Sequence, residues 1–237
     1  MEIKMSSKLI VALDFSSADQ ALEFVNPLSP PDCKLKVGFE LFVSAGPDLV
    51  RTLTGKGFDI FLDLKFHDIP NTVASVCKEA AKLDVWMMNV HASGGLEMMY
   101  AAHAALSELA CPPKLIAVSV LTSMNDEQLQ ETGVDRLAKD QVFHLAGLAK
   151  QAGLDGMVCS AQEAKALRQQ FGDEFLLVTP GIRPVGAERG DQSRVMTPRD
   201  AIQEGVDYIV VGRPITQSST PLEIIRQINA DLVHQPV

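Results

Sequence analysis

Phe61-Leu62-Asp63-Leu64-Lys65-Phe66-His67-Asp68-Ile69-Pro70-Asn71-Thr72 reads as an apolar strand that ends in charge and turns into a helix. Side chains alternate faces along a strand, so Asp63 and Lys65 project together while Leu62, Leu64 and Phe66 face the opposite layer. Pro70 and the periodic apolar set Val73, Val76, Cys77, Ala80 and Ala81 open a helix, which puts the charges in a strand-to-helix turn. Two readings of the D-x-K-x-x-D pattern stand side by side at this point. One makes Asp68 a helix N-cap and Asp63 with Lys65 an ordinary ion pair; the other makes the cluster an active site.

Outward from this unit, apolar runs of strand length recur at Leu9 to Phe15, Lys34 to Leu41, Val85 to His91, Lys114 to Leu121, Gly156 to Ser160, Phe175 to Pro180 and Tyr208 to Gly212. With Asp59 to Phe66 they make eight, and helical patterns follow, among them Ala18 to Val25, Leu96 to Leu109, Asp140 to Ala152, Ala161 to Gln170, Pro198 to Glu204 and Pro221 to Leu232. Eight β/α units of about 30 residues match a (β/α)8 TIM barrel, typically about 250 residues long. The predicted fold is therefore α/β, one TIM-barrel domain over residues 1–237. An open doubly wound sheet would want a glycine-rich phosphate turn after its first strand, and Leu13-Asp14-Phe15-Ser16-Ser17 is not one.

A barrel collects its functional residues at the C-terminal ends of its strands. The polar residues obey this: Asp14, Lys36, Asp63 with Lys65, Asn89 with His91, Thr122-Ser123, Ser160, Pro180-Gly181-Ile182-Arg183-Pro184 and Gly212-Arg213. Some have plain structural uses, Ser160 and Thr122 as helix caps and Asn89 as a satisfied core amide. Phosphate sites in these barrels use the loops after strands seven and eight, where Arg183, Gln192, Gly212 and Arg213 offer planar donors and close backbone N–H groups. The Gly- and Arg-rich segment from Ile182 to Met196 suggests a lid. Lys36, Asp63, Lys65 and Asp68 can alternate in sign, which favours a protonated Lys65 that acts as a general acid over a Schiff-base nucleophile. His67, assigned to the layer opposite Asp63 and Lys65, reads as a packing residue or as one that supports site residues from behind, and His91 as either a core hydrogen-bonder or a support for the site. No metal site is predicted.

The net charge of −9 argues against general nucleic-acid binding, so an anionic ligand needs a local cationic site. Neither an apolar leader between Met1 and Ser7 nor an apolar run of about 18 residues is present, from which a soluble cytoplasmic protein without membrane contact is expected. Cys33, Cys77, Cys111 and Cys159 lack C-x-x-C spacing and read as reduced, buried cysteines.

Taken in order, Val11-Ala12-Leu13-Asp14, Lys36-Val37-Gly38, Asp63 to Thr72, Asn89-Val90-His91-Ala92, Leu121-Thr122-Ser123, Thr179-Pro180-Gly181-Ile182-Arg183, Gln192 and Val211-Gly212-Arg213-Pro214 resemble the bacterial type of orotidine 5′-phosphate decarboxylase over essentially the whole chain. The resemblance implies cofactor-free decarboxylation of orotidine 5′-monophosphate to uridine 5′-monophosphate, the last step of de novo pyrimidine synthesis. It implies that Lys65 protonates C6 and that Asp63 lies near the departing carboxylate. Lys36 would orient the network and contact ribose, Asp14 and Thr72 would bind ribose, and Thr122 or Ser123 would meet the pyrimidine amide edge. Arg183, Gln192, Gly212 and Arg213 would hold the phosphate, Gln192 also bridging toward the base. A homodimer is implied, with Asp68 and Thr72 reaching across its interface.

Three rival functions share parts of this pattern. A magnesium-dependent sugar-phosphate lyase of the same superfamily, such as a 3-keto-gulonate-phosphate decarboxylase or a hexulose-phosphate synthase, shares D-x-K-x-x-D but needs a carboxylate where this chain has Lys36. Glu40, read on the same strand face, lies four residues further on. A Schiff-base aldolase conflicts with the anions around Lys65, and a non-catalytic phosphate-binding barrel leaves the acid and base groups without a use.

Overall fold

A computed structural model of the chain describes residues 7–184 and 196–233. Its strands are Leu9–Ala12 (β1), Lys34–Gly38 (β2), Ile60–Phe66 (β3), Met87–His91 (β4), Lys114–Val118 (β5), Gly156–Val158 (β6), Leu176–Thr179 (β7) and Tyr208–Val211 (β8). They pair in parallel in chain order, and β8 closes on β1 through Leu9 opposite Ile209 and Val11 opposite Val211. This is the (β/α)8 barrel expected from the sequence.

The helices are Ala18–Val25 (α1), Phe39–Gly55 (α2), Pro70–Ala81 (α3), Gly95–Ser107 (α4), Asp126–Glu131 (α5), Ala138–Gln151 (α6), Ala161–Phe171 (α7), Pro198–Gln203 (α8), Arg213–Thr216 (α9) and Pro221–Val233 (α10). Their starts follow local chemistry. Ser17 caps α1 by accepting from the Gln20 N–H, Pro70 takes the first position of α3, and Ser160 with Glu163 forms a capping box on α7. Ser160 is thus a structural cap, whereas Thr122 sits in a turn and Asn125 caps α5.

Six strands end earlier than the apolar runs suggest, β1, β2 and β5 by three residues and β6, β7 and β8 by one or two. β1 stops at Ala12, leaving Asp14 in the following loop, and β2 stops at Gly38, whose extended backbone leads into α2. Glu40 therefore lies in the first turn of a helix rather than on the strand face, because the apolar run Val37 to Leu41 continues from strand into amphipathic helix with no change of composition.

The core has two parts. Outward-facing strand residues such as Leu35, Leu62, Val90 and Leu177 pack beneath the helices, while Ile10, Ala12, Phe61, Met87, Ile116, Val178 and Val210 fill the barrel interior. Full burial of each large apolar side chain contributes about 1.5–3 kcal/mol. The interior packing is a plug between two polar ends. At the N-terminal end Lys34 pairs with Asp59 and holds its Nζ 4.4 Å from the centre of the Trp86 ring, with Tyr208 edge-on to Trp86 at 4.9 Å. At the C-terminal end the inward positions carry the candidate site. Cys33, Cys77 and Cys159 are buried and free, their thiols pushed up to about 12 first by burial, whereas Cys111 is exposed. Among the described residues no helix is long and apolar enough to cross a membrane.

Candidate active site

Inward-facing residues of β2 and β3, with Asp14 from the loop after β1, form a line of alternating charge. Lys36 on β2 holds its Nζ 3.4 Å from Asp14 Oδ1 and 3.3 Å from Asp63 Oδ2, and Lys65 Nζ lies 2.7 Å from Asp63 Oδ1. The order is Asp14, Lys36, Asp63, Lys65, so each internal member is flanked by opposite charge. Both lysines meet the same carboxylate through different oxygens. Burial works against ionisation of Asp63, but Lys36, Lys65 and hydrogen bonds from Lys65 and Asn89 outweigh it and hold the carboxyl below its usual range.

The backbone bends to make this possible. Lys65 has φ 46°, in the left-handed region that costs a residue with a side chain roughly 1–2 kcal/mol, and the β3 to β4 register shifts between Leu62 and Phe66. Asn89, fully buried on β4, occupies the shift: its Oδ1 accepts the Lys65 N–H at 2.7 Å and its Nδ2 donates to Asp63 Oδ1 at 2.7 Å. Reading Asn89 as a satisfied core amide understated it, since both its partners are site residues. The signal available beforehand was only its inward parity on a strand adjacent to Asp63.

Gly38, two residues beyond Lys36 on the same face, makes room for the line. A Cβ there would stand 2.9 Å from Lys36 Nζ. Gly212 has a similar place on the Asp14 side, where a Cβ would come 3.2 Å from Asp14 Oδ2.

Asp68 is not in this line. It is exposed, its Oδ1 accepts its own neighbour's Ile69 N–H at 2.6 Å, and among the described residues it forms no ion pair with Lys65. Nor is it the cap of α3, since Ile69 holds that position without a side-chain bond. The in-chain anion at the end of the line is instead Asp14, which the parallel pairing of β1 with β2 brings beside Lys36. Thr72 is exposed on the first turn of α3. The His67 ring lies 5.7 Å from that of His91, which overturns its assignment to the opposite layer: β3 has ended at Phe66, and the turn, not strand parity, sets its direction. His91 is driven toward its neutral form by burial, then by His67 and Lys65, against Asp63. Its Nδ1 is buried without a hydrogen-bond partner among the described residues.

After β7 and β8, Arg183 and Arg213 are close enough that burial and the Arg213 charge lower the Arg183 pKa. Arg183 is buried to 7% exposure, donates to the Ile182 carbonyl, and is anchored through its own N–H to Met196. Gly212 precedes α9, which begins with the exposed Arg213. Two neighbouring guanidinium groups form a local cationic patch in a chain of net charge −9. Thr122, half-buried, and Ser123, exposed, lie in the turn after β5. Gln192 and most of the anticipated lid fall outside the described residues.

Known proteins resemble this chain over nearly its whole length. A family model described as orotidine 5′-phosphate decarboxylase / HUMPS family matches residues 7–228. An orotidine 5′-phosphate decarboxylase from Pseudoalteromonas translucida is 54% identical over 233 residues, spanning 98% of this chain and 100% of the relative. One from Nitrosococcus oceani is 56% identical over 226 residues, spanning 95% and 97%. The crystal structure of orotidine 5′-phosphate decarboxylase from Lactobacillus acidophilus matches with a TM-score of 0.86 at 42% identity, covering 95% of this chain and 99% of that one.

Proposed function

Because this chain belongs to the orotidine 5′-phosphate decarboxylase / HUMPS family, we propose that it converts orotidine 5′-monophosphate to uridine 5′-monophosphate and carbon dioxide without a cofactor, using one catalytic barrel domain across residues 1–237. The line Asp14, Lys36, Asp63, Lys65 carries the reading. Loss of carbon dioxide leaves an electron pair on C6 of the pyrimidine. An ammonium fixed beside that carbon stabilises the developing charge and then delivers the proton, and Lys65 is the more exposed of the two lysines in the line, its side chain 26% exposed against 11% for Lys36. Asp63 lies beside the departing carboxylate and aligns both lysines.

Arg183, Arg213, the Gly212 N–H and Gln192 bind the phosphate; Asp14 and Lys36 bind ribose; Thr122 or Ser123 meets the base. Phosphate contacts remote from C6 supply binding energy that is used to position the reacting carbon. The exposed positions of Asp68 and Thr72 suit residues that serve a neighbouring site, and we assign them across a homodimer interface in a cytoplasmic enzyme.

Within the same family a metal-dependent sugar-phosphate lyase would need a carboxylate near Asp63, where Lys36 stands instead and repels a cation. The ultraviolet absorbance of orotidine 5′-monophosphate with purified protein in EDTA tests the assignment. Rapid conversion to uridine 5′-monophosphate supports it. No conversion, with turnover of a sugar phosphate in magnesium, would move the chain to the other branch.

A further inference from the structure

We propose that Asn89 is a positioning residue for this decarboxylation, which locks the left-handed turn at Lys65 to the Asp63 carboxylate through one side-chain amide. The inference rests on the proposed activity and assigns a role to a residue outside the acid, base and phosphate groups.

The orientation of the amide follows from its partners. The Lys65 N–H can only donate and the ionised Asp63 carboxylate can only accept, so Oδ1 must face Lys65 and Nδ2 must face Asp63. Both bonds are 2.7 Å, and the residue has no exposed surface. A left-handed lysine breaks the ladder to β4 where a regular strand would have satisfied its N–H, and Asn89 replaces the missing backbone acceptor. The same amide holds the rotation of Asp63. With Nδ2 and Lys65 Nζ both on Oδ1, Oδ2 is left turned to Lys36 at 3.3 Å. Without Nδ2 the carboxylate can rotate about its Cβ–Cγ bond, and the two lysines are no longer assigned one oxygen each. Lys65 Nζ then loses its fixed direction, and misplacement of about 1 Å is enough to cost on the order of 100-fold in rate.

The test compares Asn89→Ala, which removes both bonds, with Asn89→Asp, which is nearly the same shape and keeps the acceptor for the Lys65 N–H but places a second carboxylate against Asp63. Two readouts are taken. Turnover of orotidine 5′-monophosphate is followed across pH, and the carboxyl carbon of Asp63, assigned by its absence in Asp63→Asn, is titrated by NMR. The expected result for Asn89→Ala is a fall in kcat of about 100-fold with KM changed by less than about threefold. The acid limb of the pH profile and the Asp63 titration should both move to higher pH, and further in Asn89→Asp than in Asn89→Ala. Rates and titrations like those of the parent would overturn the proposal. So would a loss of activity that only follows the folded fraction, with the pH profile unmoved. If the parent protein does not consume orotidine 5′-monophosphate, the activity assignment fails on that control. The Asp63 titration then still decides whether Asn89 holds the carboxylate.

Discussion

Lys34 and Lys36 stand two residues apart on the same inward face of β2, both nearly buried at 3% and 9% exposure, and they serve opposite ends of one barrel. Lys34 pairs with Asp59 and lies over the faces of Trp86 and Tyr208, at 4.4 and 5.9 Å. Lys36 is stretched between two carboxylates at 3.3 and 3.4 Å. The floor spends its buried charge on closure. The mouth keeps its charges in an open row and accepts a strained backbone at Lys65 to do so. A buried lysine is therefore no sign of function by itself; what separates the two is the kind of partner, aromatic faces beside a carboxylate for Lys34 and two carboxylates for Lys36.

Truncating the mouth should affect rate and not folding. Lys65→Ala is expected to lower kcat by at least about 10⁴-fold, the upper range of general acid catalysis, while affinity for uridine 5′-monophosphate changes by less than about tenfold. Equal losses in both, measured by steady-state kinetics and calorimetry, would remove Lys65 as proton donor. Lys65→Gly should be equally inactive but more stable than Lys65→Ala by roughly 1 kcal/mol, since glycine adopts φ 46° without strain. Thermal melts of the pair would show it.

Arg213→Ala should act on binding, raising KM about 10- to 100-fold, the worth of one charged hydrogen-bonding group, with a smaller change in kcat. Unchanged kinetics would take Arg213 out of the phosphate site. Lys34→Met should invert the pattern: stability falls by about 2 kcal/mol as the ion pair and cation–π contact are lost, while kcat stays within about twofold. A large kcat loss there would show that floor and mouth are coupled and would break the comparison.

The smallest effects concern room and pH. Gly38→Ala displaces only the flexible end of Lys36, so we expect a melting point within a few degrees of the parent and a rate loss of about tenfold. Asp63 is held below the usual carboxylate range, so it contributes stability that is complete above its unfolded pKa of about 3.9 and is lost as pH falls through its lower folded value. Acid unfolding followed by circular dichroism should have a shallower pH dependence below about pH 4 in Asp63→Asn than in the parent.

Much of this was readable in advance. Apolar runs of strand length mark all eight strands, and parity along β3 puts Asp63 and Lys65 on one face. The patterns are silent on partners that the fold supplies: the pairing of β1 with β2 puts Asp14 beside Lys36. Asp68, expected as the fourth member of the charge line, lies outside that line within one chain and accepts from the Ile69 N–H. Glu40 looked like part of a strand because an amphipathic helix can begin on the same apolar residues with which a strand ends.

The sequence by itself determined the barrel, its strand order and the kinds of charge at its mouth, because alternation and helix starts are properties of short segments. Only the tertiary structure decided that Lys65 turns left-handed, that Asn89 bridges it to Asp63, and that Lys34 lies against two aromatic rings while Lys36 joins Asp14 to Asp63. Those depend on register between strands far apart in the chain. Register is set by closing the barrel, when every inward side chain must find its place against all the others.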